Sequence, residues 1–207
     1  PMISQSQISN SRGFTYPKAL RSLMRQDPEA IMIGEIRDPE TASIAVQAGL
    51  TGHMVISTIH SDSTAGVYAR LINMNIEPFL LASSIAGVLG LRLLRTICER
   101  CKVETQPNAE QLGLLPEEFV QSTTFYTGQG CDHCADTGYH GRLAVTELLM
   151  SDEVTREGVI QKMRTRKLRD LAIDQGMTTL WQNALAKVQR GVTSMDEVIR
   201  VVAVDQL

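Results

Sequence analysis

Four cysteines stand in two pairs, Cys98-x-x-Cys101 and Cys131-x-x-Cys134, and such pairs are knuckles that each offer two thiolates to one tetrahedral metal at about 2.3 Å. Structural zinc is the expected occupant. With four sulfurs available, no fifth ligand and no open position are needed, and His133, inside the second knuckle, reads as a bystander. The 29 residues between the pairs exceed the interval of about 15 to 20 common in zinc ribbons. Two other readings stand beside zinc: four buried small hydrophobes, or a thioredoxin-like redox pair. Neither pair opens a helix after an apolar strand, as a redox site would.

A second constellation lies near the start of the chain. Ala30-Ile31-Met32-Ile33 delivers Gly34-Glu35, the form of a Walker B strand with its carboxylate at the ligand-facing end of a sheet. Alone this is weak, because a Glu after a buried strand is more often a solvated loop residue.

The elements that must position these residues follow from hydrophobic periodicity. Tyr16 to Gln26 has helical spacing, with Leu20, Leu23 and Met24 on one side, and Asp27-Pro28 stops it. Ala30 to Ile33 reads as a buried parallel strand. Asp38 is a plausible N-cap with Pro39 in the first helical position, and Gly49 closes that helix. His53 to Ile59 reads as a second strand, Ser63 caps a further helix, and Asn75 ends it. Strand and helix alternating at this spacing predict a βαβ sheet. From Arg92 an Arg/Leu strand leads into the cysteine-bearing segment, and beyond Ser151 the chain is helical, with Ser151 and Thr193 as caps and Gly176 and Gly191 as punctuation.

With 43% apolar residues among 207, the chain can bury a core of one or two domains. A formal net charge of −3 and 4% aromatic residues oppose nucleic-acid binding, including the reading as a zinc-ribbon nucleic-acid binder. The apolar run from Pro78 to Leu91 is shorter than the roughly 20 residues a membrane span needs, so any membrane contact is expected to be peripheral. No charged segment followed by an apolar run opens the chain, and the cysteines are paired, which together predict a cytoplasmic protein without a signal peptide. The abrupt start at Pro1-Met2 reads as a piece of something longer.

Gly34-Glu35-Ile36-Arg37-Asp38-Pro39-Glu40-Thr41-Ala42, preceded by Leu20-Arg21-x-x-x-Arg25-Gln26-Asp27-Pro28, resembles the secretion ATPases of type II secretion and type IV pilus assembly. The resemblance continues through Gly49-Leu50-Thr51-Gly52-His53-x-Val55-x-Ser57-Thr58-x-His60, which is similar to that family's histidine box. It extends to the cysteine pairs with Thr137-Gly138-Tyr139-x-Gly141-Arg142 and Glu147-Leu148-Leu149, and to Gly191-x-Thr193-x-x-x-Glu197-Val198-x-Arg200-Val201. Ser61-Asp62 stands where the family more often has Thr-Asn, and Gly90-Leu91 precedes Arg92 where Gln is frequent.

The resemblance implies a partial RecA-like P-loop NTPase core of α/β class at 1–95, an inserted tetracysteine zinc module at 96–141, and a returning strand with a C-terminal helical bundle at 142–207. It assigns Glu35 to orienting or deprotonating the attacking water and holding Mg²⁺ through water. His60 would sense the γ-phosphate of ATP, and Arg21, Arg25 and Arg37 would neutralise charge on the transferred phosphate, within or across subunits. Gly34, Glu35, His53 and Thr58 would line the nucleotide. For each arginine a surface ion pair is the competing reading, Arg37 with Asp38 or Glu40 above all, and for His53 a hydrogen-bonded structural role. The family acts as homo-hexamers on an inner-membrane platform protein, and its retraction motors generally lack the four cysteines. A second reading makes the zinc module a partner-docking element on an α/β scaffold. No G-x-x-x-x-G-K-[ST] occurs anywhere in the chain, so on its own it is expected to bind ATP poorly.

Overall fold

The computed structural model describes residues 3–202. Helix α1 (Tyr16–Leu23) takes Pro17 in its first turn, where the missing N–H is not needed, and turns Leu20 into the core. It stops at Leu23 rather than Gln26, because the chain turns into Asp27, whose φ of +53° lies in the left-handed region. Strand β1 (Ala30–Ile33) has the bounds expected of it. Asp38 opens α2 (Pro39–Leu50) by accepting the Thr41 backbone N–H at 2.8 Å and the Thr41 hydroxyl at 2.7 Å. Those bonds, the backbone N–H first, hold its carboxyl below the ordinary range. The helix runs through Gly49, and the left-handed position that ends it is Gly52, with φ +95°. Strand β2 (Met54–Ser57) is shorter than the expected span, since the His53 N–H still bonds to the Ala48 carbonyl of the preceding turn. Ser63 caps α3 (Thr64–Asn73), as its type and position predict, and Asn75 beyond it has φ +63°. Helix α4 (Pro78–Ser84) follows.

β1 and β2 pair in parallel, from Ala30↔Met54 to Ile33↔Ser57, which makes β1–α2–β2 a βαβ unit. Alternation does the rest. Ile31 and Ile33 point to one face, where they meet Leu20, Ile44 and Ala45, each fully buried Leu or Ile stabilising by about 2 kcal/mol. The opposite face carries Met32, Met54 and Ile56, which are 76%, 58% and 55% exposed.

Strand β3 (Gly87–Ile97) starts before Arg92, so the apolar run from Pro78 to Leu91 is divided between a helix and a strand. Among the described residues no helix is long and apolar enough to cross a membrane. Next come β4 (Lys102–Thr105), α5 (Ala109–Leu112), α6 (Glu117–Ser122), β5 (Phe125–Gly128) and β6 (Tyr139–Met150). β6 pairs with β3, and β4 pairs antiparallel with β5 from Lys102↔Gly128 to Thr105↔Phe125.

Four helices complete the described chain: α7 (Glu153–Ile160), α8 (Thr165–Asp174), α9 (Leu180–Gln189) and α10 (Met195–Val201). The cap of α7 is Asp152 and that of α10 is Ser194, one residue later in each case than the expected Ser151 and Thr193. The Thr193 hydroxyl is engaged elsewhere, donating to the Arg95 carbonyl, and Ser151 is buried with its N–H bonded to the Ala86 carbonyl. The chain forms two units, one of residues up to Val88 with Leu149–Gln175, the other of Leu89–Leu148 with residues from Gly176 onward. In the first, α7 packs on α4 and α8 on α3. In the second, α9 and α10 close a core of Leu94, Phe125, Val145, Trp181, Val188 and Val198.

The second unit holds a fully buried carboxylate. Glu197 accepts from the Arg95 backbone N–H at 2.8 Å and from the Arg95 and Arg200 guanidinium groups at 2.7 to 2.9 Å. Burial alone pushes its pKa up, but the bonds from Arg200 and Arg95 outweigh this and bring it from 4.5 down to about 2. A carboxylate depressed in this way stabilises the fold above the unfolded pKa and loses that contribution as pH falls toward the folded one. Glu197→Gln is therefore expected to cost about 3 to 5 kcal/mol at neutral pH in denaturant unfolding. The gap to the unaltered protein should narrow as pH falls from 4.5 toward 2.

Candidate functional site

Because β1 and β2 run in parallel, their C-terminal ends lie side by side, and the residues just beyond them face each other across the loop pair. Glu35 leaves β1 there and His60 leaves β2; the imidazole Nε2 stands 3.7 Å from a Glu35 carboxylate oxygen. The Glu35 side chain is 23% exposed and that of His60 84%, so one is half-sheltered and the other reaches into solvent. Arg37 pairs with the same Glu35 oxygen. The partners expected for it are taken: Glu40 is held by Arg21 at 2.8 Å, and Asp38 is bonded to Thr41. Arg21 thus sits in a surface ion pair. Arg25 is exposed and, among the described residues, makes no ion pair.

His53 lies at the other end of β2, away from Glu35. Its Nδ1 is 3.2 Å from the Ala48 carbonyl and 3.1 Å from the Thr51 hydroxyl, and it stitches the α2–β2 turn. Thr58 lies at the C-terminal edge of the strands, and its hydroxyl is used within the protein, donating to the Gly34 carbonyl at 2.8 Å. Beside His60 a groove of about 550 Å³ opens, lined by Ser61, Ser63, Arg70, Asn73 and Thr165 among others.

Reading the sequence missed Tyr16. A Cβ on Gly34 would fall 2.8 Å from the Tyr16 hydroxyl, so a larger residue before Glu35 would have to displace the end of that side chain. The signal was faint: Tyr16 looked like the first apolar residue of α1 and nothing more.

The four cysteines converge. Cys98 and Cys131 sulfurs are 3.9 Å apart, Cys101 and Cys134 3.9 Å, Cys131 and Cys134 3.7 Å, and all four fall within 4.8 Å of one another. These distances are too long for disulfides. They match a tetrahedron of sulfurs about 2.3 Å from a central ion, whose edges are about 3.8 Å. The long interval between the pairs is absorbed by the β4–β5 ladder, which clamps its ends together, with the Gln129 N–H bonded to the Cys101 carbonyl. Gly138 crosses Gly128 so closely that a Cβ on either would strike the other's backbone, and this fixes the second knuckle. Burial pushes the Cys101 thiol up to about 12. Cys134 feels the same burial, but the Cys131 and Gly138 N–H groups donate to its sulfur and bring it down to about 7. A sulfur so hydrogen-bonded is prepared to be a thiolate, the form that binds a metal.

A family model described as type II/IV secretion system protein matches residues 1–200. The chain is 43% identical over 202 residues to the type IV pilus assembly ATPase PilB of Thermus thermophilus, covering 96% of this chain and 23% of that protein. It is 41% identical over 199 residues to the type II secretion system ATPase E of Vibrio cholerae, covering 96% of this chain and 39% of that one. It thus spans less than half the length of these curated relatives. Of solved structures, the ATPase DotB of Yersinia pseudotuberculosis superposes with a TM-score of 0.66 at 22% identity, over 96% of this chain and 43% of that one. The pilus retraction motor PilT with bound ADP gives 0.62 at 21%, over 90% and 43%. Likeness at that identity bears on the fold alone.

The sulfur geometry generates a direct expectation. One divalent ion should bind per chain, and Cys101→Ser should lower occupancy and open residues 96–141 to protease, leaving residues up to Val88 as resistant as before. Metal analysis and limited proteolysis read the two effects; less than half an equivalent of metal in the unaltered chain contradicts the assignment.

Proposed function

This chain belongs to the type II/IV secretion system protein family, and we propose that it is the C-terminal part of an ATPase that powers type II secretion or type IV pilus assembly. One observation carries the reading: Glu35 and His60 meet at the C-terminal edge of paired parallel strands, where a RecA-like core keeps its water-activating carboxylate.

The residues fit one side of a nucleotide site. Glu35 is sheltered but accessible, held in place by Arg37 and within reach of His60, which suits a group that orients a water and draws its proton. His60, largely in solvent, is free to donate a hydrogen bond to an anion approaching that edge. Arg37 supplies positive charge beside the carboxylate, and Arg25 carries an unengaged one on the same unit. Mg²⁺ with ATP would supply charge neutralisation and the leaving group. The backbone nest and lysine that hold β- and γ-phosphates are not in these 207 residues and belong, in this reading, to a longer polypeptide. In that protein the ring would be a homo-hexamer, with arginines serving neighbouring sites and an inner-membrane platform protein receiving the motion.

The cysteine cluster is read as structural zinc: four sulfurs leave no open position for a substrate. A docking role for the same module is compatible with the motor. It separates from a purely structural role if surface variants there lose stimulation by a partner but keep basal hydrolysis. Relatives above 40% identity are named for assembly and secretion, so retraction is the less supported direction.

Three outcomes test the reading. The chain by itself should show no ATP turnover above a Glu35→Gln control. In the full-length protein, Glu35→Gln should lower hydrolysis by about 10² to 10⁴ while nucleotide binding, measured by titration, changes little. Near-normal turnover with normal binding would remove Glu35 from the catalytic role. Arg25→Ala subunits mixed with Glu35→Gln subunits should regain part of the activity if the arginine works across a boundary.

A further inference from the structure

Glu35 does not hold its own position. It lies beyond the last ladder pair of the β1–β2 sheet, Ile33↔Ser57, in a stretch without regular structure. Its two chain neighbours, however, are tied to a single residue of the opposite loop. The Ile36 N–H donates to the Thr58 carbonyl at 2.9 Å, and the Thr58 hydroxyl donates to the Gly34 carbonyl at 2.8 Å. One residue thus bridges both sides of the carboxylate-bearing residue, once through its main chain and once through its side chain. The second bond is the one that sequence can remove. The Tyr16 hydroxyl also lies near Gly34, 2.8 Å from where a Cβ would stand.

We propose that Thr58 is a positioning residue for Glu35, acting through the Gly34 carbonyl rather than by touching nucleotide. The assignment rests on the reading of Glu35 as the catalytic carboxylate. A hydroxyl committed to a main-chain carbonyl has its only proton in that bond. Removing it frees the Gly34 peptide to rotate, and a shift of about 1 Å at a catalytic group typically costs about 10²-fold in rate. Binding of the phosphates, made elsewhere, should be unaffected.

The experiment is steady-state ATP hydrolysis by the full-length protein carrying Thr58→Val, Thr58→Ala, Thr58→Ser or Glu35→Gln, with nucleotide affinity measured in parallel. Valine keeps the shape, alanine cannot clash should valine disturb folding, and serine restores the hydroxyl. The expected result is a fall in kcat of about tenfold to a hundredfold for Val and Ala, an unchanged KM, and recovery to within about threefold of the unaltered rate with Ser. A raised KM at unchanged kcat would show that Thr58 contacts nucleotide and overturns the proposal. So would an equal loss in Ser and Val. If Glu35→Gln is impaired while Val and Ala turn over normally, only the role of Thr58 falls. If Glu35→Gln turns over normally, the reading of Glu35 falls and takes this proposal with it.

Discussion

The parallel register of β1 and β2 is the constraint on which the proposed site depends. Parallel strands place two C-terminal ends together, so residues more than twenty positions apart in sequence emerge at one edge. An antiparallel pairing would separate Glu35 from His60 by the length of a strand, and a one-residue slip would send Ile31 and Ile33 to solvent while burying Met32. The pattern of buried and exposed side chains therefore fixes the chemistry as well as the fold. The helix between the strands enforces the direction, since a parallel connection needs a crossover, and α2 is started sharply by Asp38 and its bonds to Thr41.

Local signals were legible in the sequence wherever one residue type has one physical use. Asp38-Pro39 and Ser63 were readable as helix starts, Ala30 to Ile33 as a parallel strand but not that its Met32 face is exposed, and the four cysteines as one cluster, because caps, β-rich apolar runs and knuckle spacing are short-range properties. Where two neighbours were both competent, sequence alone did not choose between them. Ser151 and Asp152 can each cap a helix, and it is the Asp152 carboxylate that accepts the Thr155 N–H, while Ser151 is buried with its N–H on the Ala86 carbonyl. Thr193 and Ser194 repeat the case, with Thr193 drawn to the Arg95 carbonyl. The Arg95–Glu197 tie and the nearness of the Tyr16 hydroxyl to Gly34 are products of tertiary approach, and no spacing rule contains them, whereas Arg37 took a local partner two residues back, Glu35, in place of Asp38 or Glu40.

The two units rely on different cements. The first is apolar, with α1 and α2 laid on one face of two strands and the proposed site at the strand ends. The second combines an apolar core around Trp181 with polar fixtures: a sulfur cluster on a clamped ladder and a buried carboxylate between two arginines. The Arg95 guanidinium also lies 4.0 Å from the centre of the Tyr139 ring, and the Tyr139 hydroxyl is 2.6 Å from Ser194, whose oxygen caps α10. Strand β3, strand β6 and the last helix are thereby locked through a few groups whose geometry tolerates little substitution.

The interleaving of the units in sequence has a consequence for synthesis. Each is assembled from two separated stretches, so residues up to Val88 leave the ribosome well before Leu149–Gln175, against which α3 and α4 pack. The second unit waits in the same way for Glu197 to reach Arg95, a separation of 102 residues. Closing such long loops precedes any reward in contacts, which slows folding and lengthens the time that apolar surface is bare. During that time the sides of α3 and α4 that α8 and α7 come to cover are bare, the kind of apolar surface that chaperones engage and that neighbouring chains on a polysome can join.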